Sequence, residues 1–377
     1  MGRLPVAGLA KSGMTTHMRF PAAAAFATLL TVTLMAQEKS NADLWIEALR
    51  AAPELKVPAT RAAWDQQRAA TREHLWRLLG DLPSRPKVPK VETLSREERD
   101  GYTLEKFRFD NGAGAMVPGY LLLPKERKKS PAVLYCHWHG GQYEIGKEEL
   151  FRTNAVPVAP GPALAKLGYV VMGIDAYCFG ERNGAGPGGP AEKGGAGEMT
   201  AAKFQLWAGR SLWGMIVRDD LMALDYLCSR KEVDAARVAV TGISMGATRT
   251  WWITAMDDRP RTGIAVACLT RYSDLVRAEG LKYHGIYYFV PGLLKHFDTE
   301  AIVALAAPRP MLFMTGDLDL GSPLKGIQTI EAKVRPIYKL TGRETDFQNI
   351  VYPKLGHVYT PEMWDKTRLW LAEKLAK

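Results

Sequence analysis

RVAVTGISMG, residues 237–246, decides the fold. Arg237 to Thr241 is a short apolar run with β-branched residues, which reads as a buried strand. Residues 245–256 carry a helical apolar pattern. Between them lies Gly242-Ile243-Ser244-Met245-Gly246, a G-x-S-x-G pattern set between strand and helix. A tight turn of this kind presents the serine hydroxyl at the C-terminal edge of a sheet, and the glycines two positions either side let strand and helix approach. The positive end of the following helix favours negative charge at the same place. Ser244 is therefore the candidate nucleophile.

A serine nucleophile needs a base, and the base needs an orienting acid. On strand–turn–helix sites of this pattern the chain order is Ser, acid, His. His357, in Leu355-Gly356-His357, follows a short strand pattern at 349–352 and precedes the last helix pattern at 361–375, so it falls in a loop at a strand end. The strand pattern at 310–315 runs into Gly316-Asp317-Leu318-Asp319, with Pro323 beyond. Asp317 and Asp319 compete for the acid. Asp319 is favoured because it lies deeper in the loop. An oxyanion needs two N–H donors. One is expected from Met245. The other is expected from the loop His137-Trp138-His139-Gly140-Gly141-Gln142, which follows a strand pattern at 131–137 and resembles the oxyanion loop of esterases. The residue of 138–141 that donates is left open between Gly140, Gly141 and their neighbours.

Further strand patterns lie at 104–109, 116–123, 169–175 and 263–269, and helix patterns at 41–49, 59–79, 162–167, 201–229 and 327–340. Residues 81–100, polar and Pro-bearing, read as a linker. Residues 180–197 hold eight glycines and read as an irregular loop, and 270–298 as aromatic and irregular. Strands come first without helices and then alternate with them. That predicts an α/β fold: a mainly parallel sheet with helices on both faces, an antiparallel edge, and an N-terminal helical segment. The expected division is 1–36, 37–99 and 100–377.

Residues 21–36, PAAAAFATLLTVTLMA, follow Arg19 and read as the apolar core of a signal peptide ending near Ala36. A periplasmic or secreted protein is expected, with no membrane association once residues 1–36 are removed. The first 36 residues hold Arg3, Lys11, Arg19 and no acid, so their loss takes the net charge from +10 to +7. That is modest for the 341 residues that would remain, and no basic run interleaved with aromatics is present, which argues against nucleic acid as a partner. Hydrophobic residues at 47% and charged residues at 24% fit a globular chain. Cys136, Cys228 and Cys268 read as core thiols, and Cys178, in a loop, as the one to check for a bridge.

Two motifs are set aside. His137-x-His139 has a metal-ligand spacing, but the other histidines (His17, His74, His284, His296, His357) form no second cluster with it. One of the pair is expected to face the core and bond backbone. Residues 184–189 match G-x-G-x-x-G, yet Pro190 rather than a helix follows. No cofactor and no metal are expected.

From about residue 100 onward the chain resembles α/β-hydrolases of the acetyl xylan esterase/dienelactone hydrolase-like group. The resemblance rests on residues 120–124, 135–142, the 242–246 elbow, Ala307-Pro308-Arg309-Pro310 and Gly356-His357. It implies a Ser244/Asp319/His357 triad and hydrolysis of a carboxylic ester. Dienelactone hydrolases proper use Cys where Ser244 stands, and glucuronoyl esterases carry a basic residue where Met245 stands. Export, aromatics and the resemblance favour an acetylated or feruloylated carbohydrate, with small aryl esters next. Trp138, Phe179, Arg182 and Arg249 are the substrate-binding candidates. Against them, Asp175, Glu181 and Arg182 could instead pair to hold the glycine-rich loop, and Arg249 could form an internal salt bridge. A prolyl oligopeptidase-type peptidase would use the same triad, and a carbohydrate-binding protein could keep the fold without turnover. Oligomeric state is not readable.

Overall fold

The computed structural model describes residues 39–49, 54–126 and 129–376. The signal-peptide expectation for residues 1–36 lies outside them. Residues Lys39 onward form one compact unit.

The chain enters through helices α1 (Asn41–Ala48) and α2 (Arg61–Leu79). Thr60 caps α2 by accepting the Ala63 N–H at 3.2 Å. Trp64, Leu75 and Leu79 of α2 are buried. On its other side Arg72 reaches the Ala255 carbonyl at 2.9 Å and grips both oxygens of Asp258.

Next come strands β1 (Val91–Arg99), β2 (Tyr102–Asp110), β3 (Met116–Pro124) and β4 (Ser130–Cys136), then helix α3 (Pro160–Lys166) and strand β5 (Val170–Ile174). Helices α4 (Gly194–Trp207) and α5 (Leu212–Ser229) lead to β6 (Val233–Ile243), α6 (Met245–Met256) and β7 (Pro260–Val266). The chain closes with α7 (Tyr272–Arg277), α8 (Thr299–Ala304), β8 (Met311–Gly316), α9 (Leu324–Leu340), β9 (Phe347–Tyr352) and α10 (Pro361–Lys374).

Among the described residues the strands form one nine-stranded sheet in the order β1-β2-β3-β5-β4-β6-β7-β8-β9. β1, β2, β3 and β5 pair antiparallel, and β5 through β9 pair parallel in that order, which is the expected edge and core. Strand side chains alternate between faces. Ala132, Leu134 and Cys136 of β4 join one apolar cluster, while Val133 and Tyr135 join the other. Met311 and Phe313 of β8 divide from Leu312 and Met314 in the same way. The first cluster holds Trp213 of α5 and Trp251 and Trp252 of α6, and the second holds Trp364 and Trp370 of α10.

Four expectations are corrected. The linker expected over 81–100 ends in β1, whose residues are nearly all exposed, so no burial pattern marks it in the sequence. The single helix expected over 201–229 is two helices. Gly209, at φ 75°, ends α4, and Ser211 caps α5 by accepting the Gly214 N–H at 3.0 Å. α8 falls where no element was expected. Cys178, the bridge candidate, is a free buried thiol that burial pushes up to about 12.

Candidate active site

β6 delivers Ser244 to the sheet's C-terminal edge. Ser244 takes φ 59° and ψ −121°, a conformation L-residues rarely adopt, and its N–H donates to the Val266 carbonyl at 2.9 Å. α6 starts at the next residue and is buried along its whole length. Its close seat on β4 depends on two glycines. A Cβ at Gly242 would meet the Cys136 carbonyl oxygen at 2.3 Å, and one at Gly246 would meet it at 2.0 Å. Gly246→Ala is expected to cost about 1–3 kcal/mol of stability or more, because the obstacle is backbone that cannot give way. A urea melt at neutral pH checks it.

The loop after β8 carries Asp319, whose side chain is almost wholly buried. Its Oδ1 accepts the Gly321 N–H at 2.9 Å, and its Oδ2 lies 2.8 Å from His357 Nδ1, in the loop after β9. The carboxylate on His357 is thus that of Asp319 and not Asp317. Ser244, Asp319 and His357 line one cavity of about 610 Å³. Its walls include His139, Gly140 and Gly141 from the loop after β4, Tyr283, His284 and Tyr287 from the aromatic segment, and Cys268. Burial pushes the Cys268 thiol up to about 11.

The loop after β4 has its backbone spoken for at several points. The Trp138 N–H donates to Glu149 Oε2 at 2.7 Å, the Gly141 N–H to His139 Nδ1 at 3.1 Å, and the Gln142 N–H to the His139 carbonyl at 2.9 Å. Among the described residues this leaves the N–H groups of His139 and Gly140 without a protein acceptor. Gly141, one of the candidates for the second oxyanion donor, is corrected accordingly: its N–H is already used. Gly140, at φ 51°, sits over the Trp138 ring, where a Cβ would come within 2.6 Å.

The Abhydrolase family model matches residues 43–361. The chain belongs to this α/β-hydrolase family. Among curated relatives, a Bacillus subtilis (strain 168) protein named as a hydrolase, YtaP, is 37% identical over 296 residues, which is 78% of this chain and 95% of YtaP. Among solved structures, a Bacteroides fragilis NCTC 9343 protein named as an acetyl xylan esterase matches with TM-score 0.67 at 20% identity, covering 88% of this chain and 89% of that one. A glucuronoyl esterase from Solibacter usitatus matches with TM-score 0.64 at 18% identity, covering 86% and 99%. At these identities the likeness is one of fold.

Within this α/β-hydrolase the four substrate-binding candidates do not line the cavity. Arg249 is wholly buried, its guanidinium held by Asp220 at 2.5 and 2.9 Å. Arg182 is buried over the Tyr177 ring, bonding Asp219 at 2.9 Å and the Asp175 carbonyl at 3.1 Å. Lys147, which sequence reading did not single out, takes Asp175 and Glu181 at 2.9 and 2.6 Å. Phe179 is 1% exposed, packed against His137 and His139. Trp138 packs beneath Gly140. Arg182, Phe179 and Trp138 thus serve the loops around the cavity, and Arg249 ties α6 to α5. The residues that do line it, His139, His284 and Tyr287, were visible only as a rejected metal pair and as an aromatic stretch.

His137 is the core histidine of the pair. Its Nδ1 donates to the Trp138 carbonyl at 2.7 Å and its Nε2 accepts the Ala176 N–H at 3.0 Å, so both nitrogens are engaged and the ring is neutral. Burial first, and Arg249 second, hold it well below the usual histidine range. An unfolded histidine binds its proton near pH 6.5, so the stability held by neutral His137 is complete above that pH and is lost as pH falls below it. Glu149, which burial lifts to about 7, works in the opposite sense between pH 4.5 and 7. The difference between wild type and His137→Gln therefore isolates the histidine. Between pH 6.5 and 5 the wild type should lose up to about 1.4 kcal/mol per pH unit more than the variant, read from denaturant midpoints.

Among the described residues no three or more His, Cys, Asp or Glu side chains gather as a metal site would need, and no helix is long and apolar enough to cross a membrane.

Proposed function

We propose that the protein is a serine-dependent carboxylic ester hydrolase that works through an acyl-enzyme. The observation that carries this reading is Ser244, held at a strained strand-to-helix turn, in one cavity with a His357 that is hydrogen-bonded to a buried Asp319. His357 accepts the serine proton through Nε2 as the hydroxyl attacks the ester carbonyl. Asp319, on Nδ1, fixes the tautomer that leaves Nε2 free and stabilises the imidazolium. The oxyanion is held by the Met245 N–H, at the positive end of α6, and by an N–H of Gly140 or its neighbour His139. The alcohol departs with the proton from His357, and water then cleaves the acyl-enzyme by the same route reversed.

The substrate we favour is an acetylated or feruloylated carbohydrate. Tyr283 on the cavity wall, half exposed, supplies a face suited to a sugar or aryl ring, and the fold neighbours named as carbohydrate esterases support the same class. The reading takes residues 1–36 as an export signal and residues 100–377 as the part that carries the chemistry. The test is release of p-nitrophenol from its acetate ester by the chain lacking residues 1–36, with and without a serine-directed phosphonate. Turnover abolished by the phosphonate is expected; turnover that persists on full labelling overturns the mechanism.

A further inference from the structure

Glu198, near the start of α4, has no role in the steps above, yet it is only 3% exposed. A carboxylate withdrawn from water costs several kcal/mol unless it is well bonded. Among the described residues Glu198 has no Lys or Arg partner; its ion-pair partner is His139. Both its oxygens are used on the loop that follows β4. Oε1 lies 3.2 Å from His139 Nε2, and Oε2 accepts the Tyr143 hydroxyl at 3.2 Å. The opposite nitrogen of that imidazole, Nδ1, accepts the Gly141 N–H at 3.1 Å. An N–H donor on Nδ1 and a carboxylate on Nε2 place the ring proton on Nε2. The ring is also stacked on Tyr287, with centroids 5.0 Å apart and planes at 23°, and meets Tyr143 and Phe179 edge-on. The imidazole is thereby fixed in position and in tautomer.

The glycine-rich stretch makes this arrangement reachable. The Gly180 N–H bonds the Tyr143 carbonyl at 2.8 Å, the Gly194 N–H bonds Asn183 Oδ1 at 2.8 Å, and Asn183 in turn bonds Glu144 at 2.8 Å. The excursion is tied to the loop after β4 at both ends, and Glu198 follows directly after it, buried.

We propose that Glu198 and His139 are positioning residues for the oxyanion loop. Glu198 holds the imidazole so that Nδ1 restrains the Gly141 N–H, and this restraint sets the adjacent His139–Gly140 peptide against the cavity, where its N–H stabilises the oxyanion. The inference rests on the serine mechanism above. It predicts an effect on transition-state stabilisation and little on ground-state binding.

The test compares His139→Asn with His139→Gln, alongside Glu198→Ala. Asparagine puts an acceptor where Nδ1 stood; glutamine puts its polar group where Nε2 stood. Two rates are read: kcat and KM for p-nitrophenyl acetate, and the rate constant for labelling of Ser244 by a p-nitrophenyl phosphonate, whose phosphoryl oxygen occupies the oxyanion position without a natural substrate. His139→Gln and Glu198→Ala should lower kcat and the labelling rate about 10- to 100-fold with KM within about 3-fold, and His139→Asn, which keeps the acceptor for the Gly141 N–H but loses the Glu198 bond, should lose about 5-fold less than His139→Gln. Equal losses in the Asn and Gln variants overturn the inference, as does a raised KM with kcat intact, which would mean that His139 touches substrate. Melting curves separate any global loss of fold, and the Asn/Gln pair, alike in removing the ring, keeps the comparison valid if both are destabilised. A wild-type chain inert to both reagents defeats the serine reading itself; a reactive wild type with indistinguishable variants defeats only this inference.

Discussion

Replacing Ser244 with alanine should lower ester turnover by about 10,000-fold or more while the chain stays folded, because removing the nucleophile of a triad costs nearly as much as removing the whole triad. The stability side can be argued just as directly. Ser244 accepts no capping bond from α6 and its backbone sits at φ 59°, so alanine inherits the same strain and little else changes. Glycine at this position should be equally inactive, yet more stable by about 1 kcal/mol, since it occupies positive φ without a Cβ penalty. Activity and melting would then move in opposite directions in Ser244→Gly. A turnover within a few-fold of wild type in Ser244→Ala would remove the proposed mechanism.

The largest loss of stability is expected from the Arg249–Asp220 pair. Both side chains are essentially inaccessible, at 0% and 1% exposure, and the pair is bidentate. Arg249 also reaches the His137 carbonyl at 3.5 Å, so the pair links α6, α5 and the start of the loop after β4. Removing one partner strands the other charge in the interior, and Arg249→Ala or Asp220→Ala should each cost about 3–5 kcal/mol. Replacing both, as Arg249→Met with Asp220→Leu, should cost clearly less than either single change, because no buried charge remains. Denaturant midpoints of the three variants check this; a double variant as unstable as the sum of the singles would mean that the two residues act independently.

What the sequence disclosed follows the range of the forces involved. The Ser244 turn, the short apolar runs of β4 and β8, and the position of His357 past a short strand depend on neighbours along the chain. Each is legible as spacing. The partner of Arg249 is 29 residues away and Glu198 is 59 residues from His139, and no local pattern announces either pairing. Arg182 and Arg249 looked like substrate ligands because a cation past a strand end or beside the nucleophile turn reads the same whether it faces a cavity or a buried carboxylate. β1 was missed for the opposite reason: an exposed, charged edge strand lacks the apolar periodicity by which strands are recognised. The glycine-rich stretch concealed the first turns of α4, since glycine argues against a helix wherever it is read alone.

The rim of the cavity has a consequence for how such an enzyme diverges. Leu318 and Leu320 are 61% and 63% exposed and Tyr283 is 48% exposed, whereas Ser244 and Asp319 stand on segments anchored in the sheet. Substitutions at exposed positions away from special contacts usually change stability by less than about 0.5 kcal/mol. Descendants of this sequence can therefore exchange rim residues one at a time, reshaping the cavity mouth, without passing through an intermediate that fails to fold. Selection on substrate choice and selection on folding therefore act on different residues, and relatives of this chain should differ at the rim before they differ at the sheet.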